Sequence, residues 1–163
     1  MKKKYLVLIS IFLPLLSIAN SLIPPAPIVN ASSYILIDAT TNKVILEYQA
    51  DEKNPPASLT KIMTSYLVEK QIERGVVALG DLVPISVKAW RAEGSKMFVR
   101  EGTKVLLSDL LRGVVVQSGN DASIALAEFI AGDENSFAQM MNTQAEELGM
   151  FNSRFVNVRV PYL

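Results

Sequence analysis

Histidine is absent from this 163-residue chain, and so is cysteine. Without histidine there is no Ser-His-Asp triad, and a typical protein zinc site loses its commonest ligand. Without cysteine there is no thiol nucleophile, no disulfide and no thiol for lipid attachment at a processed N-terminus. A covalent hydrolase built from these residues must take its base from Lys, Asp, Glu or Tyr. Also missing is any basic block of the kind that neutralises phosphates, so nucleic-acid binding is not expected. Lys and Arg number 16 and so do Asp and Glu; setting aside Lys2, Lys3 and Lys4 leaves 13 basic against 16 acidic residues, a net charge of −3. What remains is half hydrophobic and one-fifth charged, the composition of a globular domain.

Those three lysines open an export pattern. The apolar run Tyr5 to Ala19 follows them, and Ser17-Ile18-Ala19 puts small residues at the −3 and −1 places of a cleavage site. The run is shorter than the ~20 residues that span a bilayer, and Pro14 interrupts it, so a cleaved leader over 1–19 is preferred to a retained anchor. The mature protein is then expected outside the cytoplasmic membrane. Residues 20–32, with Pro24, Pro25 and Pro27, read as a linker.

Two β-rich stretches come next, Tyr34 to Asp38 and Lys43 to Tyr48, around the polar turn Ala39-Thr40-Thr41-Asn42. Asn54-Pro55-Pro56 breaks the chain and can start a helix. From Ser58 the residues Leu59, Ile62, Met63, Tyr66 and Leu67 recur at helical spacing as one apolar face, closed by Gly75. Residues 76–104 have a mixed pattern with turns at Gly80, Gly94 and Gly102. A helix over Ser108–Val116, capped by Ser108, precedes another over Asp121–Ile130 that Gly132 ends. A last helix carries Phe137, Met140, Met141, Ala145 and Leu148 on one face and stops at Gly149. Methionines and aromatics at this spacing are core rather than a cofactor box. Trp90 is either core or groove lining. A hairpin followed by a helical cluster is an α+β arrangement.

Two short patterns can carry chemistry. Ser58-Leu59-Thr60-Lys61 places a hydroxyl and an amine three residues apart, on one face of a helical turn. A neutral lysine can activate serine when burial or a nearby cation lowers its pKa, and the first turn of a helix favours a developing oxyanion. The same spacing is also common on solvated helix faces. Ser118-Gly119-Asn120, between two expected helices, can present a hydroxyl and an amide to a cleft; it can equally be an ordinary capping turn.

Taken together the patterns are specific. Ser-x-x-Lys with a Ser-x-Asn triplet belongs to the signature of penicillin-binding proteins and class A β-lactamases. The stretches Ser33 to Asp38, Ala57 to Thr64 and Gln117 to Ala122 closely resemble the D-alanyl-D-alanine carboxypeptidases among low-molecular-mass penicillin-binding proteins. Gly94-Ser95-Lys96-Met97-Phe98 and Gly102-Thr103-Lys104-Val105 fit the same family's middle region. The resemblance runs from Ser33 to Asn157, so 33–157 reads as a catalytic domain of the β-lactamase/DD-peptidase-like fold.

This resemblance implies a mechanism. Ser58 would attack the bond between the last two D-alanines of a peptidoglycan stem peptide and form an acyl-enzyme, with Lys61 as general base. Ser118 would pass a proton to the leaving D-alanine, and Asn120 would bind substrate and steady Lys61. β-Lactam antibiotics would acylate the same serine, no metal or organic cofactor would be needed, and complete homologues would work at the outer face of the cytoplasmic membrane.

The chain also departs from the family. No lysine is followed by Thr-Gly, so the family's third motif is missing, and with it the later strands of the sheet, a C-terminal β domain and an anchor helix. Family members continue Phe-x-Asn with two residues and Gly-Leu, whereas Phe155-Val156-Asn157 runs into Val158-Arg159-Val160-Pro161-Tyr162-Leu163. Residues 158–163 therefore read as an atypical end, and the 163 residues are expected to make a poor or inactive enzyme. Two alternatives stand beside the carboxypeptidase: a β-lactamase-like hydrolase, although none of Glu128, Glu134, Glu146 and Glu147 lies in a recognisable deacylation loop, and a non-catalytic envelope remnant.

Overall fold

A computed structural model describes residues 27–159. The leader expected over 1–19 lies outside the described residues, as do 20–26 of the expected linker; residues 27–32 form neither helix nor strand. The described residues divide into two units, 27–52 and 53–159.

The first unit is the expected hairpin. Strand β1 (Tyr34–Ile37) pairs antiparallel with β2 (Val44–Tyr48), Tyr34 opposite Tyr48 and Leu36 opposite Leu46. The register slips between Leu36 and Ile37, which leaves Ile45 as the extra residue of a bulge. Asp38 builds the turn: its carboxylate accepts from the Thr40 N–H at 3.0 Å, the Thr41 N–H at 2.8 Å and the Thr41 hydroxyl at 2.9 Å. Those bonds, the Thr41 N–H foremost, hold the Asp38 carboxyl below the usual carboxylate range.

The second unit carries five helices and a small sheet. A 3-10 turn over Ala57–Leu59 leads into α1 (Thr60–Glu73). Strand β3 (Leu82–Pro84) and the short α2 (Val87–Trp90) follow. Strand β4 (Lys104–Leu106) then pairs antiparallel with β3, Val83 opposite Val105. Helices α3 (Leu107–Gln117), α4 (Asn120–Ala131) and α5 (Glu134–Glu147) complete the unit. The two strands and α2 occupy the region whose sequence pattern is mixed, because three- and four-residue elements are too short to show a period.

Helix α4 is the centre of this unit and touches α1, α2, α3 and α5. Its Ala122, Ile124, Ala125, Leu126 and Ala127 have no exposed surface. Alanine on three of these five positions lets neighbouring helices approach closely, while Ile124 and Leu126 each contribute about 1.5–3 kcal/mol through burial. Phe137 and Met141 of α5 fill the same core, as the apolar spacing of that helix predicts, while Leu148 lies exposed just past its end. Asp133 caps α5, accepting from the N–H groups of Asn135 and Ser136 at 2.7 and 2.9 Å. Gly132 and Gly149, at φ 84° and 76°, end α4 and α5 as expected. Val158 is buried in the core and donates its N–H to Glu134, whose carboxylate also pairs with Lys88 and Arg159.

Three sequence expectations need correction or completion. Ser108 is not a cap: α3 starts one residue earlier, after Leu106, and the Ser108 N–H donates to the Leu79 carbonyl. Trp90 is 41% exposed, with the Arg91 guanidinium 5.8 Å from its ring, so it is not core. The largest difference concerns α1. Met63 and Leu67 are buried as expected, but Leu59, Ile62 and Tyr66 are exposed, and the buried side includes Thr60, Lys61, Thr64 and Gln71. The buried arc is turned from the apolar arc by roughly one residue's step, about 100°. That rotation takes Lys61 inside.

Candidate active site

Ser58 lies on the 3-10 turn and is exposed. Ala57 before it has φ 48°, a left-handed conformation that costs a residue with a Cβ about 1–2 kcal/mol. Strain at a single residue is often concentrated where a side chain must be aimed. The polypeptide enters α1 directly from this turn, so Lys61 follows Ser58 within one turn of backbone.

Lys61 is 5% exposed. Its ammonium nitrogen donates to both the Ser118 carbonyl and the Ser118 hydroxyl, the latter at 3.0 Å. Burial pushes the Lys61 pKa below its ordinary value, because a charged amine loses solvation there; the negative charge of Asp121 acts in the opposite direction. A depressed pKa increases the fraction of neutral amine, the form that can take a proton.

Ser118 sits at the junction of α3 and α4. It caps α3 in the left-handed conformation, φ 52° and ψ 40°, and the next N–H, of Gly119, donates to the Gly113 carbonyl at 3.0 Å. The capping turn and the presented hydroxyl, alternatives in the sequence, are the same structure. Asn120 begins α4 and is buried. Its side-chain N–H donates to the Glu93 carbonyl at 2.6 Å and its backbone N–H to the Ser95 carbonyl at 2.7 Å, while its Oδ1 has no partner among the described residues. Asn120 is thus committed to the 93–95 segment, and it is Ser118 that holds the Lys61 ammonium.

The structure brings Lys61 and Ser118 into contact across 57 residues of sequence. Among the described residues Lys61 gives its hydrogen bonds to Ser118 rather than to Ser58. Sequence reasoning passed over Asp121, which is fully buried beside the triplet and receives three backbone N–H groups. The available signal was an acid placed directly after Ser118-Gly119-Asn120 and before an apolar helix. Acids are so common in first helical turns that the position looked ordinary.

No group of three or more His, Cys, Asp or Glu able to hold a metal occurs among the described residues, and no helix there is long and apolar enough to cross a membrane.

Comparison with known proteins places these residues in context. The sequence model of the peptidase S11 family, described as D-alanyl-D-alanine carboxypeptidase, matches residues 20–159. The chain is 45% identical to D-alanyl-D-alanine carboxypeptidase DacC of Escherichia coli over 139 residues, 82% of this chain and 35% of that protein. It is 42% identical to DacA of the same organism, over 85% of this chain and 36% of that one. Among solved structures, the D-alanyl-D-alanine carboxypeptidase DacD of Francisella tularensis matches with a TM-score of 0.81 at 42% identity, covering 86% of this chain and 34% of its own. Penicillin binding protein 5 of Haemophilus influenzae matches with a TM-score of 0.80 at 37% identity, covering 85% and 41%. The described fold is that of these penicillin-binding carboxypeptidases, in part: the chain spans about a third of the length of the curated relatives it matches.

Proposed function

The chain belongs to the D-alanyl-D-alanine carboxypeptidase family, and on that premise we propose that Ser58, Lys61, Ser118 and Asn120 are the working residues of a serine acyl-transfer site. The substrate is a peptidoglycan stem peptide ending in D-Ala-D-Ala, and penicillins acylate the same serine. One observation carries this reading: a buried lysine, its pKa depressed by burial, hydrogen-bonds a serine hydroxyl at 3.0 Å one helical turn beyond a second serine.

The Ser58 oxygen attacks the carbonyl carbon of the penultimate D-alanine as neutral Lys61 takes the hydroxyl proton. Collapse of the tetrahedral adduct breaks the C–N bond, and the leaving amine receives that proton from Lys61 by way of the Ser118 hydroxyl. The resulting ester is hydrolysed when water attacks it: Lys61 takes the water's proton and passes it to the Ser58 oxygen as the ester C–O bond breaks. The family resemblance assigns Asn120 to the substrate's backbone, a contact its buried side chain can make only by leaving the Glu93 carbonyl.

The 163 residues hold no Lys-Thr-Gly. By family resemblance that motif supplies an oxyanion-hole N–H and a cation for the substrate carboxylate. Loss of one oxyanion donor costs about 2.7–4 kcal/mol and loss of a desolvated charge partner roughly 2–5 kcal/mol. Removing that motif from a complete relative is therefore expected to slow turnover by a factor on the order of 10³–10⁶. We further propose that the leader is removed after Ala19 on export, so that N-terminal sequencing of secreted protein begins at Asn20; an intact Met1 in the membrane fraction contradicts this.

The test uses mass spectrometry of penicillin-treated protein, both the chain itself and a chimera that continues into a relative's remaining residues. Expected in the chimera is one penicilloyl group on Ser58, lost in Ser58→Ala and reduced on the order of 10⁴-fold in rate in Lys61→Ala. Near-normal acylation of Lys61→Ala defeats the assignment of the base. Rapid turnover of penicillin in place of a trapped adduct identifies a β-lactamase-like enzyme instead. Absence of any adduct from folded chimera points to a non-catalytic protein.

A further inference from the structure

Asp121 is the most heavily bonded side chain near the proposed site. It has no exposed surface, and its Oδ1 accepts from the N–H groups of Met97 at 3.0 Å and Ala122 at 2.9 Å. Its Oδ2 accepts from the Val99 N–H at 3.1 Å. The residue between those two anchor points, Phe98, is left-handed at φ 64° and 81% exposed. A left-handed residue turns the N–H groups on either side of it toward one anion, the geometry of a backbone nest. Here the anion is the Asp121 carboxylate. Four hydrogen bonds in all tie the 93–99 segment to the start of α4: two from Asn120 to the carbonyls of Glu93 and Ser95, and two to Asp121 from Met97 and Val99.

Structure alone would account for the nest, but Asp121 has a second neighbour. The Lys61 ammonium is bonded to Ser118, three residues before Asp121, so the carboxylate is a fixed negative charge near that amine and opposes the effect of burial. The fit around it is tight, since a Cβ on Gly119 would lie 2.9 Å from Asp121 Oδ1 and 3.3 Å from the Met97 nitrogen. A group so confined presents a fixed charge at a fixed place.

We propose that Asp121 is a positioning residue with two roles: it locks the Met97–Val99 backbone onto the Ser-x-Asn turn, and it sets the electrostatic field in which Lys61 works. This rests on the reading of Lys61 as the base. In that reading the site needs an amine neutral enough to accept a proton yet able to return it to the leaving group. Burial favours the neutral form; the Asp121 charge restrains burial from going too far.

The experiment follows Lys61 itself, in the full chain with isotopically labelled lysine, by NMR titration. In Asp121→Asn, which keeps the shape and removes the charge, the Lys61 midpoint is expected to move to lower pH. The Val99 amide, now facing a side-chain N–H in place of an oxygen, is expected to exchange with solvent roughly tenfold faster. An unmoved Lys61 midpoint in folded Asp121→Asn reduces the residue to a structural anchor and overturns the proposal. Should that variant not fold, the unsubstituted chain decides. The amide signals of Met97 and Val99 are expected to shift with the Lys61 midpoint, and signals that stay flat through it overturn the proposal equally. Because the measurement reads the amine and not turnover, its result is independent of whether Ser58 is the nucleophile.

Discussion

The Lys61 ammonium lies 3.0 Å from the Ser118 hydroxyl and also bonds the Ser118 carbonyl, so one residue supplies two oxygens to a nitrogen that has left water. The amine's pKa is lowered by burial and partly restored by Asp121. In the proposed mechanism, acylation of Ser58 requires the neutral amine. Its rate is expected to rise with pH and to level off below the ordinary lysine value of 10.5. Stability should follow the same direction. The folded state binds fewer protons than the unfolded chain between the depressed value and 10.5, so the cost of burying the ammonium is fully present below the folded pKa and is relieved as pH rises through it. Denaturant midpoints of the wild type and Lys61→Met across that alkaline range check the second expectation; parallel curves contradict it.

Ser118→Ala removes the hydroxyl that receives Lys61 and leaves the carbonyl in place. Proton transfer by a positioned group is typically worth 10²–10⁴-fold, and a loss in that range is expected in the acylation or D-alanine release of the chimera. Stopped-flow acylation with a chromogenic β-lactam measures it. A loss under threefold would mean that protons reach the leaving group without Ser118.

Adjacent residues of α1 should behave oppositely. Met63 is 6% exposed and Ile62 66%. Truncating the buried one, Met63→Ala, is expected to cost about 2–5 kcal/mol, while Ile62→Ser should stay within about 0.5 kcal/mol. Urea unfolding of both variants tests the rotation of the helix. Equal losses would place the buried arc where the apolar spacing put it.

Most of the fold was legible in the sequence because most of it rests on local signals. Hairpin, turn and glycine stops all come from residues within a few positions of one another, α4 shows as an Ala-rich apolar run, and α5 announces itself by apolar spacing. The face of α1 was misread for a physical reason. Amphipathic spacing assumes that a helix buries its apolar side, and here the buried side carries Lys61, Thr64 and Gln71, a departure of the kind expected where a helix contributes to a functional site. At the site, Ser-x-x-Lys and Ser-x-Asn marked the residues, but the contact between Lys61 and Ser118 spans 57 positions and has no local signature. Asp121 was hidden by the ordinariness of an acid in a first turn.

Gly119→Ala probes the packing beneath the triplet. The backbone at φ −65° accepts any residue, so only crowding matters. The new methyl would sit 2.9 Å from Asp121 Oδ1 and 3.3 Å from both the Gly113 carbonyl oxygen and the Met97 nitrogen. A destabilisation of about 1–3 kcal/mol is expected, with faster exchange of the Met97 amide. A neutral effect on both would show that the 93–99 segment can yield.

The left-handed backbone of Ser118 restricts which descendants of this sequence could keep working. Threonine would keep the hydroxyl, but a β-branched side chain is an outlier at positive φ. Asparagine and glycine tolerate that backbone and have no hydroxyl to offer Lys61. The substitutions that suit the chain conformation lose the chemistry, and the one that keeps the chemistry strains the chain. Under the role proposed for Ser118, a population selected under a β-lactam would find few viable replacements at position 118 and would have to adapt through its neighbours, the exposed residues around Ser58 and the 93–99 segment among them.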